Sequence, residues 1–206
     1  MPLPKIVLAS SSAYRRRLLE RLELPFVCDP PDIDESRRAG ETAPHLVRRL
    51  CLAKAYAVGP RHCGALIIAS DQIGAVGRSI LGKPGSIMAA RQQLQSISGR
   101  TVQFLTGLCV LDMRDGRCLH TVEKVSVRLR SLNSVTINDY VERERPIDCA
   151  GSFKVEGLGI ALFEHIRGDD PTALEGLPLI RLSGFLRALG LPVLAEPAAA
   201  TPPGNR

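Results

Sequence analysis

Residues Lys5 to Ala9, KIVLA, run straight into the polar triplet Ser10-Ser11-Ser12 and then into AYRRRLLERL, Ala13 to Leu22. The first five form an apolar run of strand type, and Leu18, Leu19 and Leu22 recur on one side of a 3.6-residue period. The segment reads strand, polar turn, helix. Working outward, a second helix is expected from about Thr42 to Val58, with Leu46, Leu50 and Ala53 inward, followed by the buried strand ALIIAS, Ala65 to Ser70. Ser86 can cap a helix that ends at Gly99. RTVQFLTGLCVLDM and RCLHTVEKVSVRLR then flank the Arg114-Asp115-Gly116 turn as a long hairpin. Asn133 or Ser134 can open a helix that stops before Pro146, a Gly-rich loop spans Ala150 to Gly157, and a last helix covers Leu177 to Leu189. Helix-linked strands with one long hairpin predict an α/β domain built on a mixed sheet. It is expected to fill residues 1–195, and the Pro/Ala-rich tail EPAAATPPGNR, residues 196–206, lacks the periodicity to pack and is expected to be disordered.

Composition narrows the class. With 206 residues, 45% hydrophobic and 23% charged, fibrous and disordered classes are excluded. A chain of this length buries roughly 70% of its unfolded surface, so it needs no disulfide or structural metal. The six cysteines stand singly, with no C-x-x-C pair, and the four histidines show no metal-type spacing. Reduced thiols, no membrane span and a cytoplasmic location are the expectation. The net charge of +6 comes from 22 Arg and only five Lys against 21 acidic residues. Where charge alone matters this chain uses Arg, so Lys5, Lys54, Lys83, Lys124 and Lys154 mark positions to examine for a compact ammonium.

Four segments carry chemistry. In Ser10-Ser11-Ser12-Ala13-Tyr14-Arg15-Arg16-Arg17, three arginines occupy the positive end of a helix, a conflict that a bound phosphate would remove. A plain Ser12 cap with solvated arginines is the alternative. Ser70-Asp71-Gln72 follows the buried run, where ligands collect beyond strand ends in α/β sheets. Asp32, Asp34 and Glu35 add carboxylates on a loop, and Mg²⁺ is commonly held by one or two carboxylates with phosphate oxygens. Gly77 to Lys83 matches seven positions of the P-loop pattern, but the eighth is Pro84, which has neither the hydroxyl nor the N–H that the mechanism needs. A P-loop is rejected, leaving Lys83 as either a phosphate contact or a surface turn residue. Cys149 to Gly157, CAGSFKVEG, offers Lys154 and Glu156 on a loop whose glycines let a ligand or backbone come close. A carboxylate there can accept the paired N–H edge of a guanine, and an ion-paired surface loop is the alternative.

Taken in order, LAS-S-S-x-x-RR, D-E, Leu52-Ala53-Lys54-Ala55, SDQ, GKP and CAGSFKxEGxG resemble the Maf-like nucleotide pyrophosphatase family, most closely the members that hydrolyse 7-methyl-GTP. The resemblance covers about Lys5 to Leu194. It implies an elongated, ITPase-like α/β fold with a central mixed sheet flanked by helices and a cleft between two lobes. It also implies a metal-dependent hydrolase that cuts a nucleoside triphosphate between the α and β phosphates, with Mg²⁺ or Mn²⁺ as cofactor. By position, Ser10, Arg15, Arg16, Lys54 and Lys83 would hold the triphosphate, while Glu35 and Asp71 would hold the metal, with Asp71 as proton acceptor. Tyr14, Gln72 and Glu156 fall on positions associated with substrate choice, and Lys154 is a further loop contact. Tyr14 departs from the Trp expected there, and a cationic methylated base stacks on Tyr less strongly than on Trp. A homodimer is compatible with the resemblance.

Three rivals share parts of this pattern. A Maf-like pyrophosphatase directed at dTTP or UTP would share the phosphate-handling residues and differ around Tyr14 and Glu156. A nucleotide sensor would share the pocket without turnover. A basic nucleic-acid-binding module would use the Arg surplus, but aromatics are only 4% of the chain and stacking platforms are correspondingly few.

Overall fold

Two strands of opposite direction flank Leu66–Val76 in the computed structural model, which describes residues 4–77 and 79–194. In chain order the strands are β1 (Ile6–Leu8), β2 (Phe26–Cys28), β3 (Leu66–Val76), β4 (Ser79–Leu81), β5 (Thr101–Asp112), β6 (Cys118–Leu129) and β7 (Phe163–Arg167). They form one sheet of order β2-β1-β3-β5-β6-β7, with β4 paired to β3. β1 runs parallel to both β2 and β3, whereas β3, β5, β6 and β7 pair antiparallel in succession. The sheet is therefore mixed, as expected. Strands of twelve residues reach roughly 40 Å, which gives the sheet its length.

Five helices cover it: α1 (Ala13–Glu20), α2 (Ala43–Val58), α3 (Ile87–Ile97), α4 (Ser134–Glu144) and α5 (Leu179–Ala188). Ser12, Ser86 and Asn133 cap α1, α3 and α4 by accepting from the backbone N–H of Arg15, Ala89 and Thr136. Strand alternation then sorts the core. Ile6, Leu8, Leu66 and Ile68 face Leu18 and Leu19 of α1 and Leu182 and Leu186 of α5, while Val7, Ile67 and Ala69 face Cys51, Ala55 and Val58 of α2. At the other end β6 and β7 pack against α3 and α4 around the edge-to-face rings of Phe104, Phe153 and Phe163. These two packed ends are the lobes.

Three expectations change. β2 has the sequence FVC, too short for a period to register. The run ALIIAS does not stop at Ser70 but continues to Val76, so Asp71 lies within a strand and not beyond its end. On α2, Ala53 is half-buried and Lys54 is among the buried residues. The tail expected from residue 196 lies outside the described residues.

Candidate active site

β3 changes partner partway along one edge. β1 pairs with it only as far as Ile68, and pairing with β4 begins at Gly74. Between them residues 69–73 face no strand on that edge among the described residues, and a cleft of about 690 Å³ opens there. Ligands in α/β sheets collect where a strand's neighbours diverge, and this gap is such a place. Walls come from both lobes: Ser10 to Arg15, Lys54 and Gly176 on one side, Phe104, Ala150, Phe153 and Val155 on the other.

Asp71 points to the α2 side of β3 and meets Lys54, with Nζ 2.5 Å from Oδ1. Both side chains are almost fully buried, and the same ammonium lies 2.9 Å from Oε1 of the more exposed Glu35. A buried lysine is tolerated only because two carboxylates compensate it. The helix comes this close because Asp71 is paired across the sheet with Gly107. A Cβ on Gly107 would stand 2.6 Å from the Val47 carbonyl oxygen. The loop before α2 that carries Glu35 is tied down by Arg49, which grips both carboxylate oxygens of Glu41 and donates to the Ser36 carbonyl.

The three arginines of α1 separate. Arg15 turns inward, its Nε donating to the Gly176 carbonyl at 3.0 Å and Nη1 to Ser10 Oγ at 3.3 Å. Burial pushes its guanidinium pKa down, and the Asp71 and Glu35 carboxylates pull it back up. Arg16 instead turns outward to an exposed pair with Glu20, and it is not on the cleft wall. The helical spacing explains this: consecutive residues point about 100° apart, so one of the three faces the sheet. Ser12 caps the helix and lines the cleft as well, so the two readings of that serine coexist. Lys83, just past β4, is exposed and lines the cleft.

Tyr14, Gln72, Asp148, Cys149, Glu156 and Glu175 line the rest. The half-buried Tyr14 donates its hydroxyl to Asp148 Oδ2 at 3.4 Å, and burial raises its phenolic pKa. Burial likewise pushes the Cys149 thiol up to about 12. Lys154 is not brought to the cleft, because its ammonium donates to the Glu144 carbonyl at the C-terminal end of α4. Gly159, just past the loop, serves backbone packing: a Cβ there would lie 2.3 Å from the Lys154 carbonyl oxygen. Glu156, on the same loop, is exposed at the cleft rim.

Among the described residues no group of three or more His, Cys, Asp or Glu side chains is placed to hold a metal by itself. The Glu35 and Asp71 carboxylates nevertheless stand on either side of the Lys54 ammonium, each with a second oxygen outside these two contacts. Two carboxylates completed by phosphate oxygens suit Mg²⁺ or Mn²⁺, so the residues fit such an ion.

The segment 170–176 lies outside the motifs that drew attention in the sequence. Asp170 caps the 3₁₀ turn Pro171–Glu175, and Gly176 ends it at φ +106°. The Asp-Pro and Glu-Gly punctuation was the available signal.

The family model described as Maf-like protein matches residues 5–189. A protein of Pseudomonas fluorescens Pf-5 described as 7-methyl-GTP pyrophosphatase is 52% identical over 186 residues, covering 90% of this chain and 97% of its own. One of Nitrosococcus oceani with the same description is 51% identical over 191 residues, covering 93% and 96%. The solved HAM1 protein of Coxiella burnetii aligns over 90% of this chain and 100% of that one, at 17% identity and a TM-score of 0.49. With the family model spanning nearly all the folded chain and half of the positions identical to these relatives, the chain belongs to the Maf-like protein family.

Proposed function

We propose that this protein hydrolyses 7-methyl-GTP between its α and β phosphates, releasing 7-methyl-GMP and pyrophosphate. The observation that carries the chemistry is the Asp71–Lys54–Glu35 contact on the wall of a cleft shared with Arg15 and Lys83. Three cations around one cleft oppose the charge of a triphosphate chain, and two carboxylates beside them supply a proton acceptor. The names of the relatives supply the base.

Arg15, Lys54 and Lys83 hold the phosphates and offset the negative charge that builds on the departing pyrophosphate. Arg15 is preorganised for this by its bonds to Ser10 and Gly176, so little ordering remains when substrate arrives. Water attacks the α-phosphorus in line with the bridging oxygen, its proton passes to the Asp71 carboxylate, and the bond to the β-phosphate breaks. A divalent ion held by Glu35 and Asp71 would polarise the phosphoryl oxygens as a Lewis acid. Tyr14 offers its ring face to a methylated, cationic guanine, and Glu156 stands at the rim to accept from the N–H edge of the base.

The test is pyrophosphate release from a panel of normal and 7-methylated nucleoside triphosphates, with and without Mg²⁺ or Mn²⁺. Fastest turnover of 7-methyl-GTP, dependent on the ion, is expected. Asp71→Asn should lower kcat by about 10² to 10⁴ while the protein stays folded by circular dichroism. Turnover of Asp71→Asn within threefold of wild type would defeat the assignment.

A further inference from the structure

The base end of the cleft is organised from an unexpected quarter. Gln72, on a position associated with substrate choice, has its amide nitrogen 2.7 Å from the Ala173 carbonyl, 3.0 Å from the Leu174 carbonyl and 3.1 Å from Thr106 Oγ1. An amide carries two hydrogens, so its donors are committed to the 3₁₀ turn and not to a ligand. Three more side chains converge on the same turn. Thr106 Oγ1 donates to the Ala173 carbonyl at 2.8 Å, Ser70 Oγ lies 2.7 Å from the Gly176 carbonyl oxygen, and Arg15 Nε donates to that oxygen as well. Ser70, Thr106 and the Ala173 and Leu174 anchors are buried, so these bonds are made away from water, where a lost partner is costly.

What this network holds in place is Glu175. Its half-buried carboxylate lines the cleft beside Glu156. Both residues also line a second pocket of about 380 Å³, whose remaining wall is mainly apolar: Val125, Val155, Ile166 and Leu174. The two carboxylates thus line both the cleft and an apolar hollow, Glu156 exposed to solvent and Glu175 half-buried, where less solvent screens it. The cleft wall carries the cations Arg15, Lys54 and Lys83 and, besides the Glu35 and Asp71 carboxylates on Lys54, those of Asp148, Glu156 and Glu175.

We propose that Glu175 is a specificity-determining residue which, paired with Glu156, selects a base bearing positive charge, and that Gln72 is the positioning residue that sets Glu175 through the 173–176 turn. The inference rests on the reading of the substrate as 7-methyl-GTP. A cationic base relieves the repulsion within the carboxylate pair, whereas an unmethylated guanine gives no such relief. Burial first, and the Glu156 carboxylate second, raise the Glu175 pKa, while Arg21 acts on it in the opposite sense.

The experiment measures kcat/KM for 7-methyl-GTP and GTP in wild type, Glu175→Gln, Gln72→Leu and the double variant. Loss of one charge at a half-screened site is expected to lower the 7-methyl-GTP to GTP ratio about five- to tenfold in Glu175→Gln, with GTP turnover within about twofold of wild type. Gln72→Leu should lower the same ratio, and in the Glu175→Gln background it should lower it no further, because it acts through that carboxylate. A Glu175→Gln variant that keeps the wild-type ratio, or loses both substrates equally, overturns the role of Glu175. Full additivity of the two changes overturns the role of Gln72. A wild type that does not prefer 7-methyl-GTP overturns the substrate reading itself, and this proposal with it.

Discussion

Adding one methyl group at Gly107 tests how the sheet seats the buried ion pair. Gly107 lies opposite Asp71 on β5, and a Cβ there would stand 2.6 Å from the Val47 carbonyl oxygen and 3.0 Å from Cys51 Sγ. Ordinary carbon–oxygen contacts begin at about 3.3 Å, so α2 must retreat by roughly 0.7 Å. Lys54 sits two turns beyond Val47 on the same face of the helix. A retreat of that size would stretch its 2.5 Å contact with Asp71 to about 3.2 Å. Gly107→Ala should therefore destabilise the protein by about 1 to 3 kcal/mol through overpacking. At this chain length that is a melting temperature lowered by about 3 to 10 °C, read by calorimetry. It should also reduce kcat by about tenfold or more, since misplacement of reacting groups by 1 Å costs up to ~10²-fold. Gly184, on the exposed side of α5 with open space around it, is the control. Gly184→Ala should stabilise by about 0.5 to 1 kcal/mol and leave turnover unchanged. A Gly107→Ala variant with wild-type melting and wild-type kcat would show that backbone contact between α2 and β5 does not set the position of Lys54.

Arg15→Ala should lower kcat/KM for the triphosphate about 10- to 100-fold, the loss expected when charge-assisted bonds disappear, while Arg16→Ala should change it less than about twofold. Steady-state rates distinguish the two, and equal losses would mean that Arg16 leaves Glu20 to reach substrate. The Glu41–Arg49 clasp predicts a pH effect: the guanidinium holds the Glu41 carboxyl down from 4.5 to about 2. A folded pKa below the unfolded one gives stability that is complete above about pH 4.5 and lost as pH falls through about 2. The stability difference between wild type and Glu41→Gln, measured by urea titration, should be constant from about pH 5 to 8 and shrink progressively below pH 4.5. A difference that grows on acidification would refute the clasp.

Fold and site were legible in the sequence to different depths. Thr101–Asp112 is a long, almost continuously buried apolar run and Cys118–Leu129 alternates over its later half, and the Asp-Gly turn between them fixes their pairing. β2 is only three residues long and half-exposed, so no period can form in it. The true end of β3 was hidden for another reason. Ser70, Asp71 and Gln72 are polar residues in a buried strand, and in a local pattern polarity marks a strand's end. They are tolerated there because each is compensated: Ser70 by the Gly107 and Gly176 carbonyls, Asp71 by Lys54, and Gln72 by Ala173 and Leu174. Partners 17 to 106 residues away in the chain are invisible to any local pattern.

The same limit applies to the triple arginine. Runs of like residues suggest a shared role, yet a helix turns each one to a different environment, and only Arg15 finds acceptors on the sheet side. Charge content drew attention to a segment that lines the cleft, and backbone geometry decides which of its members face it. At the base end the reverse holds. The 3₁₀ turn Pro171–Glu175 has little charge to advertise it, yet four side chains from α1, β3 and β5 are committed to its carbonyls. Buried bonds of that number to a surface segment fix its position against thermal motion. Arg15 takes part in the same network, so the turn is mechanically joined to the cationic wall of the cleft. A base that fits badly against Glu175 would therefore strain the anchor of Arg15, linking base choice to phosphate handling through one carbonyl oxygen, that of Gly176.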